Sequence, residues 1–211
     1  MADLQTAGRG RRKSEWLSAP AENLLFSVLL RPKLSAEQLS GLTLAVGLAV
    51  RDALTLHIAQ TPLIKWPNDV LVEDKKLCGV LVESQIRGTE ASAVVVGIGL
   101  NVNAREFPED LAAKATSLAL LEANPIAREP LLCDLLEALA ARLRRYEDSG
   151  VAGIREDLAA ADALLGRRVR VEETLGVARG IDELGRLLVE DASGNVHALL
   201  SGSVEIGSAE R

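Results

Sequence analysis

Apolar positions along this chain change their spacing several times, and each change marks an element. Residues 23–30 (NLLFSVLL) form a short continuous apolar run halted by Arg31-Pro32, which predicts a buried strand. After Ser35, a candidate N-cap with Glu37 and Gln38 close behind, Leu39, Leu42, Val46, Ala49, Val50 and Ala53 recur at helical spacing. They predict a helix to about Leu54 whose apolar face packs on a sheet. Residues 63–66 predict a strand stopped by Pro67, and 70–72 and 77–83 a hairpin across the polar turn Glu73-Asp74-Lys75. Residues 94–100 predict a further strand leading into Asn101-Val102-Asn103. Helices are expected at about 129–148 and 151–163, the first amphipathic through Leu131, Leu132, Leu135, Leu136, Leu139 and Leu143.

Past Gly166 the period becomes alternating: Val169, Val171, Val177, Ile181, Leu187, Val189, Val196, Leu199, Val204 and Ile206. Turns are expected at Leu175-Gly176, Leu184-Gly185 and Ser193-Gly194-Asn195. So many short strands in so few residues imply a small β-barrel. The expected architecture is α+β, with residues 1–164 building a mixed, mostly antiparallel sheet packed with helices and 165–211 a small closing barrel. Residues 1–16 are polar and rich in Gly and Arg, a loop that lacks the element expected to precede it.

Composition narrows the function only slightly. Only 2% of residues are aromatic, so the core must be built from Leu, Val, Ala and Ile. A formal net charge of -6 argues against a general nucleic-acid binder, although Arg9, Arg11, Arg12 and Lys13 crowd one loop able to hold an anionic small ligand. Cys78 and Cys133 sit in apolar runs without paired spacing and are expected as buried core residues, neither disulfide nor metal ligands. No apolar run approaches the ~20 residues that cross a bilayer, and no signal-type stretch opens the chain, so the cytosol is the default location.

Two segments carry chemistry. In Gly8-Arg9-Gly10-Arg11-Arg12-Lys13 the glycines permit close backbone approach, and the guanidiniums can fork around carboxylate or phosphate oxygens. As a dinucleotide fingerprint the segment fails, because Lys13 stands where a third Gly is needed. In Lys65-Trp66-Pro67-Asn68-Asp69, a Pro-stiffened turn presents an amide and a carboxylate shortly before Lys76 opens the apolar strand Leu77-Cys78-Gly79-Val80-Leu81-Val82-Glu83. Taken singly, Asn68 and Asp69 are ordinary turn residues and Lys76 an ordinary strand-edge solubiliser. Together they place three polar groups beside exposed strand backbone, a layout suited to a phosphate-bearing intermediate.

These blocks resemble, in order and separation, the successive motifs of the biotin protein ligases: Gln5-Thr6-Ala7-Gly8-Arg9-Gly10-Arg11-Arg12 with Trp16, then Asn23-Leu24 and Leu30-Arg31-Pro32, then 65–69 with 76–83, then Gly97-Ile98-Gly99-Leu100-Asn101-Val102-Asn103, and then Ala115-Thr116-Ser117-Leu118. The resemblance covers nearly the whole chain. It implies a catalytic domain similar to class II aminoacyl-tRNA synthetases, followed by an SH3-like barrel. It implies ATP and Mg²⁺ as cofactors, biotin as substrate, biotinyl-5'-adenylate as intermediate and the biotin carboxyl carrier protein of acetyl-CoA carboxylase as acceptor, with self-pairing through sheet edges. By position, Lys76 and Arg11 would be catalytic, and Gln5, Gly8, Arg9, Gly10, Arg11, Lys76, Gly79, Val80 and Leu81 would bind biotin. Arg11, Arg12, Trp16, Asn68, Asp69 and Asn101 would serve ATP and the adenylate, and Mg²⁺ would ride on the phosphates, with Asp69 its one candidate protein ligand.

The chain departs from the family pattern at Lys13, where Gly is usual, and at Ser14, where a basic residue is usual. The family's upstream helix and strands, with a Ser/Thr-Asn segment lining the biotin pocket, have no counterpart before Gln5, and Met1 is expected in mid-strand. On that reading the sheet lacks a strand and the pocket one wall, so the chain as written is expected to be unstable or weakly active. Three other readings are open to the sequence: a lipoate-type ligase, an inactive biotin-binding remnant, and a nucleic-acid binder. The last is opposed by net acidity and by the lack of interleaved aromatics.

Overall fold

Strand periodicity decides the fold. In the computed structural model, which describes residues 1–32 and 34–207, five strands form an antiparallel sheet in the order β1-β5-β4-β3-β2: β1 (Leu24–Leu30), β2 (Leu63–Lys65), β3 (Asp69–Val72), β4 (Lys75–Arg87) and β5 (Glu90–Leu100). One face is apolar: Leu24, Phe26, Cys78, Val80, Val96 and Ile98 are buried. On the other face the central strands carry little side chain, with Gly79 paired to Gly99 and Leu81 to Gly97. A glycine-paved face leaves room for something flat to lie on the sheet.

Helix α1 (Leu39–Leu54) covers the apolar face. Its entry is the expected capping box: Ser35 and Gln38 bond reciprocally across the 3-10 turn Ala36–Gln38. The apolar spacing predicted one buried face, but Leu44 and Leu48 are buried as well, because the long helix α4 (Arg128–Ser149) packs on the far side of α1. Each such leucine contributes roughly 1.5–3 kcal/mol of burial. The short helices α2 (Glu109–Ala112) and α3 (Leu118–Leu121) precede α4, and a 3-10 turn at Gly150–Ile154 joins α4 to α5 (Arg155–Ala161). Along α4, Leu131, Leu135 and Leu139 are buried while Leu136 is exposed.

A second antiparallel sheet follows, ordered β10-β6-β7-β8-β9, from β6 (Arg168–Val171), β7 (Thr174–Ile181), β8 (Leu187–Glu190), β9 (Val196–Leu199) and β10 (Val204–Ile206). Among the described residues β9 and β10 do not pair, so the small expected barrel is open along that edge. Two expectations need correction. Leu175 and Gly176 lie inside β7, and the turn before it falls at Glu172, whose φ is 54°. Cys133 is exposed on α4, while Cys78 is buried as expected. Ahead of β1, the start of the chain bridges to that strand through the Ala2 amide, which donates to the Leu25 carbonyl at 2.8 Å. No helix among the described residues is long and apolar enough to cross a membrane.

Candidate active site

A cavity of about 550 Å³ lies on the glycine-paved face, between the N-terminal loop, the sheet and the backbone around Ser203. Its floor follows from strand register. Across the five strands the partners run Leu25, Gly99, Gly79, Asp69 and Lys65, so one row passes from an apolar side chain over two glycines to a carboxylate and an amine.

Lys76 should not belong to this face, since alternation puts it opposite Gly79. The β3–β4 ladder resolves this: Val70 pairs with Cys78 but Leu71 pairs with Lys76, leaving Leu77 as an extra residue. The resulting bulge turns Lys76 onto the cavity side. Its ammonium sits 2.7 Å from Asp69 Oδ1 and 5.5 Å from the centre of the Trp16 ring. The Lys76 backbone is held from the other direction, its amide donating to Lys114 O at 2.7 Å and its carbonyl accepting from Thr116 N at 2.9 Å.

The roof is the loop Gly8–Trp16, folded back on itself. Gly10 N donates to Ser14 O at 2.7 Å and Trp16 N to Gly8 O at 3.0 Å. A Cβ on Gly8 would collide with the Trp16 carbonyl, so that position needs glycine, while one on Gly10 would displace the Ser14 hydroxyl. Ser14, where the family pattern is basic, donates from Oγ to the Arg11 carbonyl at 2.8 Å and closes the turn. Three arginines tie the flap down: Arg9 donates two bonds to Glu83 at 2.9 and 2.7 Å, Arg11 donates to Asn68 Oδ1 at 3.3 Å, and Arg12 pairs with Glu172 of the second sheet. Burial, then the neighbouring Arg12 charge, pulls the Arg11 pKa down against the opposing pull of Asp69.

Trp16 lies flat on the paired glycines: a Cβ at Gly99 would fall 2.5 Å from the indole and one at Gly79 2.8 Å from it. Its indole N–H is buried with no partner among the described residues. Asn68 clasps β4, its amide donating to the Val80 carbonyl at 3.0 Å and its own carbonyl accepting from Val80 N at 2.9 Å.

Gln5, Arg9, Gly10, Arg11, Arg12, Trp16, Asn68, Asp69, Lys76, Gly79, Val80 and Leu81 all line this cavity. Gly8 acts through the fold of the flap. Asn101 does not line the cavity; it is buried, and its amide donates to the Thr116 carbonyl at 3.0 Å. Its motif neighbour Asn103 braces the segment after α3, bonding both ways with the backbone of Ile126. Sequence reasoning left out Lys65, Glu83 and the segment Gly202–Val204, all lining residues. Glu83 and Lys65 stand inside motifs already singled out, whereas only the fold brings in Gly202–Val204. No cluster of three or more His, Cys, Asp or Glu able to hold a metal occurs among the described residues.

Residues 1–101 match the biotin/lipoate A/B protein ligase family, and residues 164–207 match the biotin protein ligase C terminal domain. The chain is 32% identical to the bifunctional ligase/repressor BirA of Escherichia coli, over 100% of this chain and 67% of that protein. It is 36% identical to the Biotin--[acetyl-CoA-carboxylase] ligase of Mycobacterium tuberculosis, over 97% of this chain and 77% of the relative. It thus spans about two thirds of the bifunctional relatives it matches. The structure of biotin protein ligase from Aquifex aeolicus in complex with biotin and ATP superposes with a TM-score of 0.85 at 31% identity, covering 99% of this chain and 88% of that one. The chain belongs to the biotin protein ligases of the biotin/lipoate A/B protein ligase family.

Proposed function

We propose that the chain is an ATP-dependent biotin ligase. It joins the biotin carboxylate to AMP and then passes the biotinyl group to a lysine of the biotin carboxyl carrier protein of acetyl-CoA carboxylase. The observation that carries this reading is the meeting, on one sheet face, of the Gly79–Gly99 floor, the Lys76–Asp69 pair and the Arg11–Asn68 contact under a flap. The first step brings a carboxylate to a phosphate, two anions that repel each other. Lys76 and Arg11 offset that repulsion from fixed positions in a partly desolvated site. The flap keeps water from the mixed anhydride, with Arg9 and Gly10 closing over biotin and Arg12 and Trp16 over the nucleotide. Gln5 and the backbone of residues 79–81 line the biotin slot, and Asn68 and Asp69 face the nucleotide. Asn101 contributes indirectly, by fixing the loop behind Lys76.

The donor set suits a Mg²⁺ that arrives on ATP, since the cavity's inner carboxylate, Asp69, is already paired with Lys76. Such an ion supplies charge neutralisation at the phosphates. On the same reading residues 1–164 form the catalytic domain and 165–211 an appended one. Self-association would use a sheet edge, and the protein works beside its carrier in the cytosol. The test is to incubate the chain with ATP, Mg²⁺, biotin and a biotin carboxyl carrier domain and weigh the carrier by mass spectrometry. A carrier heavier by one biotinyl group on its target lysine supports the reading. An unmodified carrier sinks it, and modification by lipoate in place of biotin reassigns the substrate.

A further inference from the structure

Among the described residues four non-aromatic polar side chains are buried, those of Asn23, Asn101, Thr116 and Ser117. All four belong to one network behind Lys76. The Asn23 side-chain carbonyl accepts from Val102 N at 2.8 Å, the Asn101 amide donates to the Thr116 carbonyl at 3.0 Å, and Ser117 Oγ donates to the Ala104 carbonyl. Two backbone amides close the arrangement, Leu118 N donating to Asn101 O at 3.2 Å and Ala119 N to Val102 O at 2.8 Å. Buried polar groups are costly unless their partners are in place, and a satisfied set fixes one arrangement where apolar packing tolerates several.

Backbone accounting says what this arrangement holds. β5 pairs with β4 from Cys78 onward, and the β3–β4 ladder passes over Leu77, so among the described residues Lys76 and Leu77 have no partner on β5. Residues 114–116 take its place. Ala115 bridges to Lys76 in parallel, the Lys76 amide and carbonyl bond to Lys114 and Thr116 on either side of it, and Leu77 O accepts from Asn101 N at 3.0 Å. The bulge that turns Lys76 toward the cavity is therefore pinned from behind. Unpinned, it would let the ammonium wander, and a misplacement on the order of 1 Å costs about 10²-fold in rate. We propose that this buried network is the positioning device for Lys76: Asn101 and Ser117 anchor residues 114–116, and that short segment sets the direction of the ammonium. This rests on the ligase reading above. Asn101 is then a positioning residue that acts through Lys76 and does not touch the nucleotide.

The experiment is a double-mutant cycle read by biotin-dependent exchange of labelled pyrophosphate into ATP, with wild type, Asn101→Ala, Lys76→Ala and the double variant. Asn101→Ala is expected to lower the maximal exchange rate roughly 10- to 100-fold, with KM for ATP and for biotin within about twofold of wild type. In the Lys76→Ala background the same substitution should change nothing further, because the group it aims is gone. Ser117→Ala, which cuts the segment's other anchor, goes through the same cycle with the same expectation. A measurement on wild type alone decides the matter should the variants not fold: hydrogen exchange at the Lys76 and Thr116 amides is expected to be as slow as at Val96 and Ile98 in the middle of β5. A raised KM for ATP with the maximal rate intact, additive losses in the cycle, a wild-type rate in folded Asn101→Ala, or fast exchange at those two amides overturns the assignment and leaves the ligase reading standing. If wild type shows no pyrophosphate exchange at all, the ligase reading itself falls.

Discussion

Lys76 and Gly79 are three residues apart, and an uninterrupted strand would send them to opposite faces. One surplus residue, Leu77, brings them together, and nothing in Lys76-Leu77-Cys78 announces it: the bulge is set by pairing with β3, which is not local information. Most of the candidate residues that line the cavity were therefore legible in the sequence, while the device that turns Lys76 toward it was not. Asn101 is the converse case. Its motif is visible in the chain, yet its amide serves the Thr116 carbonyl and not the cavity. At this scale the glycine floor makes a sharp prediction. In Gly99→Ala the new methyl meets the Trp16 ring, so the indole must leave its seat. Tryptophan emission is expected to shift, and affinity for biotin to fall about tenfold or more, the consequence of an overpacked contact surface. The melting temperature should stay within a few degrees of wild type. Unchanged emission together with unchanged affinity would show that Trp16 does not rest on the floor.

The elements were read well where periodicity is local. The strands, the capping box at Ser35 and helix α4 all follow from spacing and cap residues. Misreadings came from tertiary neighbours: α1 buries more than one face because α4 lies behind it, and Cys133 is exposed because no described residue covers its side of α4. The junction of these helices is tied by Arg142 of α4, which donates to Asp52 of α1 at 2.5 Å and pairs with Asp157 of α5. The hydrogen bond from Arg142 holds the Asp157 carboxyl below its usual range, against burial that opposes it. A carboxylate with a depressed folded-state pKa adds stability above its unfolded value, near 3.9, and loses it as pH falls through the folded value. Asp157→Asn should therefore melt roughly 1–3 °C below wild type at pH 7, a figure discounted for solvent screening. That gap should close as the pH drops below about 4. Parallel melting curves at every pH would rule out this linkage.

At the scale of the whole molecule, the second sheet completes the cavity. Its turn docks on α1, with Gly185 at φ 76° and the Trp66 indole donating to the Gly185 carbonyl at 3.0 Å. A Cβ on Gly185 would lie 2.9 Å from the Gly41 backbone, so Gly185→Ala meets both steric conflict and a left-handed conformation. It should lower the melting temperature by roughly 4 °C or more and weaken biotin transfer; a variant that melts with wild type would show that this docking carries no stability. The short alternating strands form the small second sheet as expected, open between β9 and β10 among the described residues; which edges meet is a matter of long-range pairing that alternation cannot encode. The proposed activity of the whole chain rests on Lys76 neutralising charge beneath the flap. The most direct measurement is biotin-dependent exchange of labelled pyrophosphate into ATP, comparing wild type with a folded Lys76→Ala protein. The account predicts exchange in wild type and a loss of at least about 100-fold in the variant, with circular dichroism unchanged; exchange at the wild-type rate without that ammonium would contradict it.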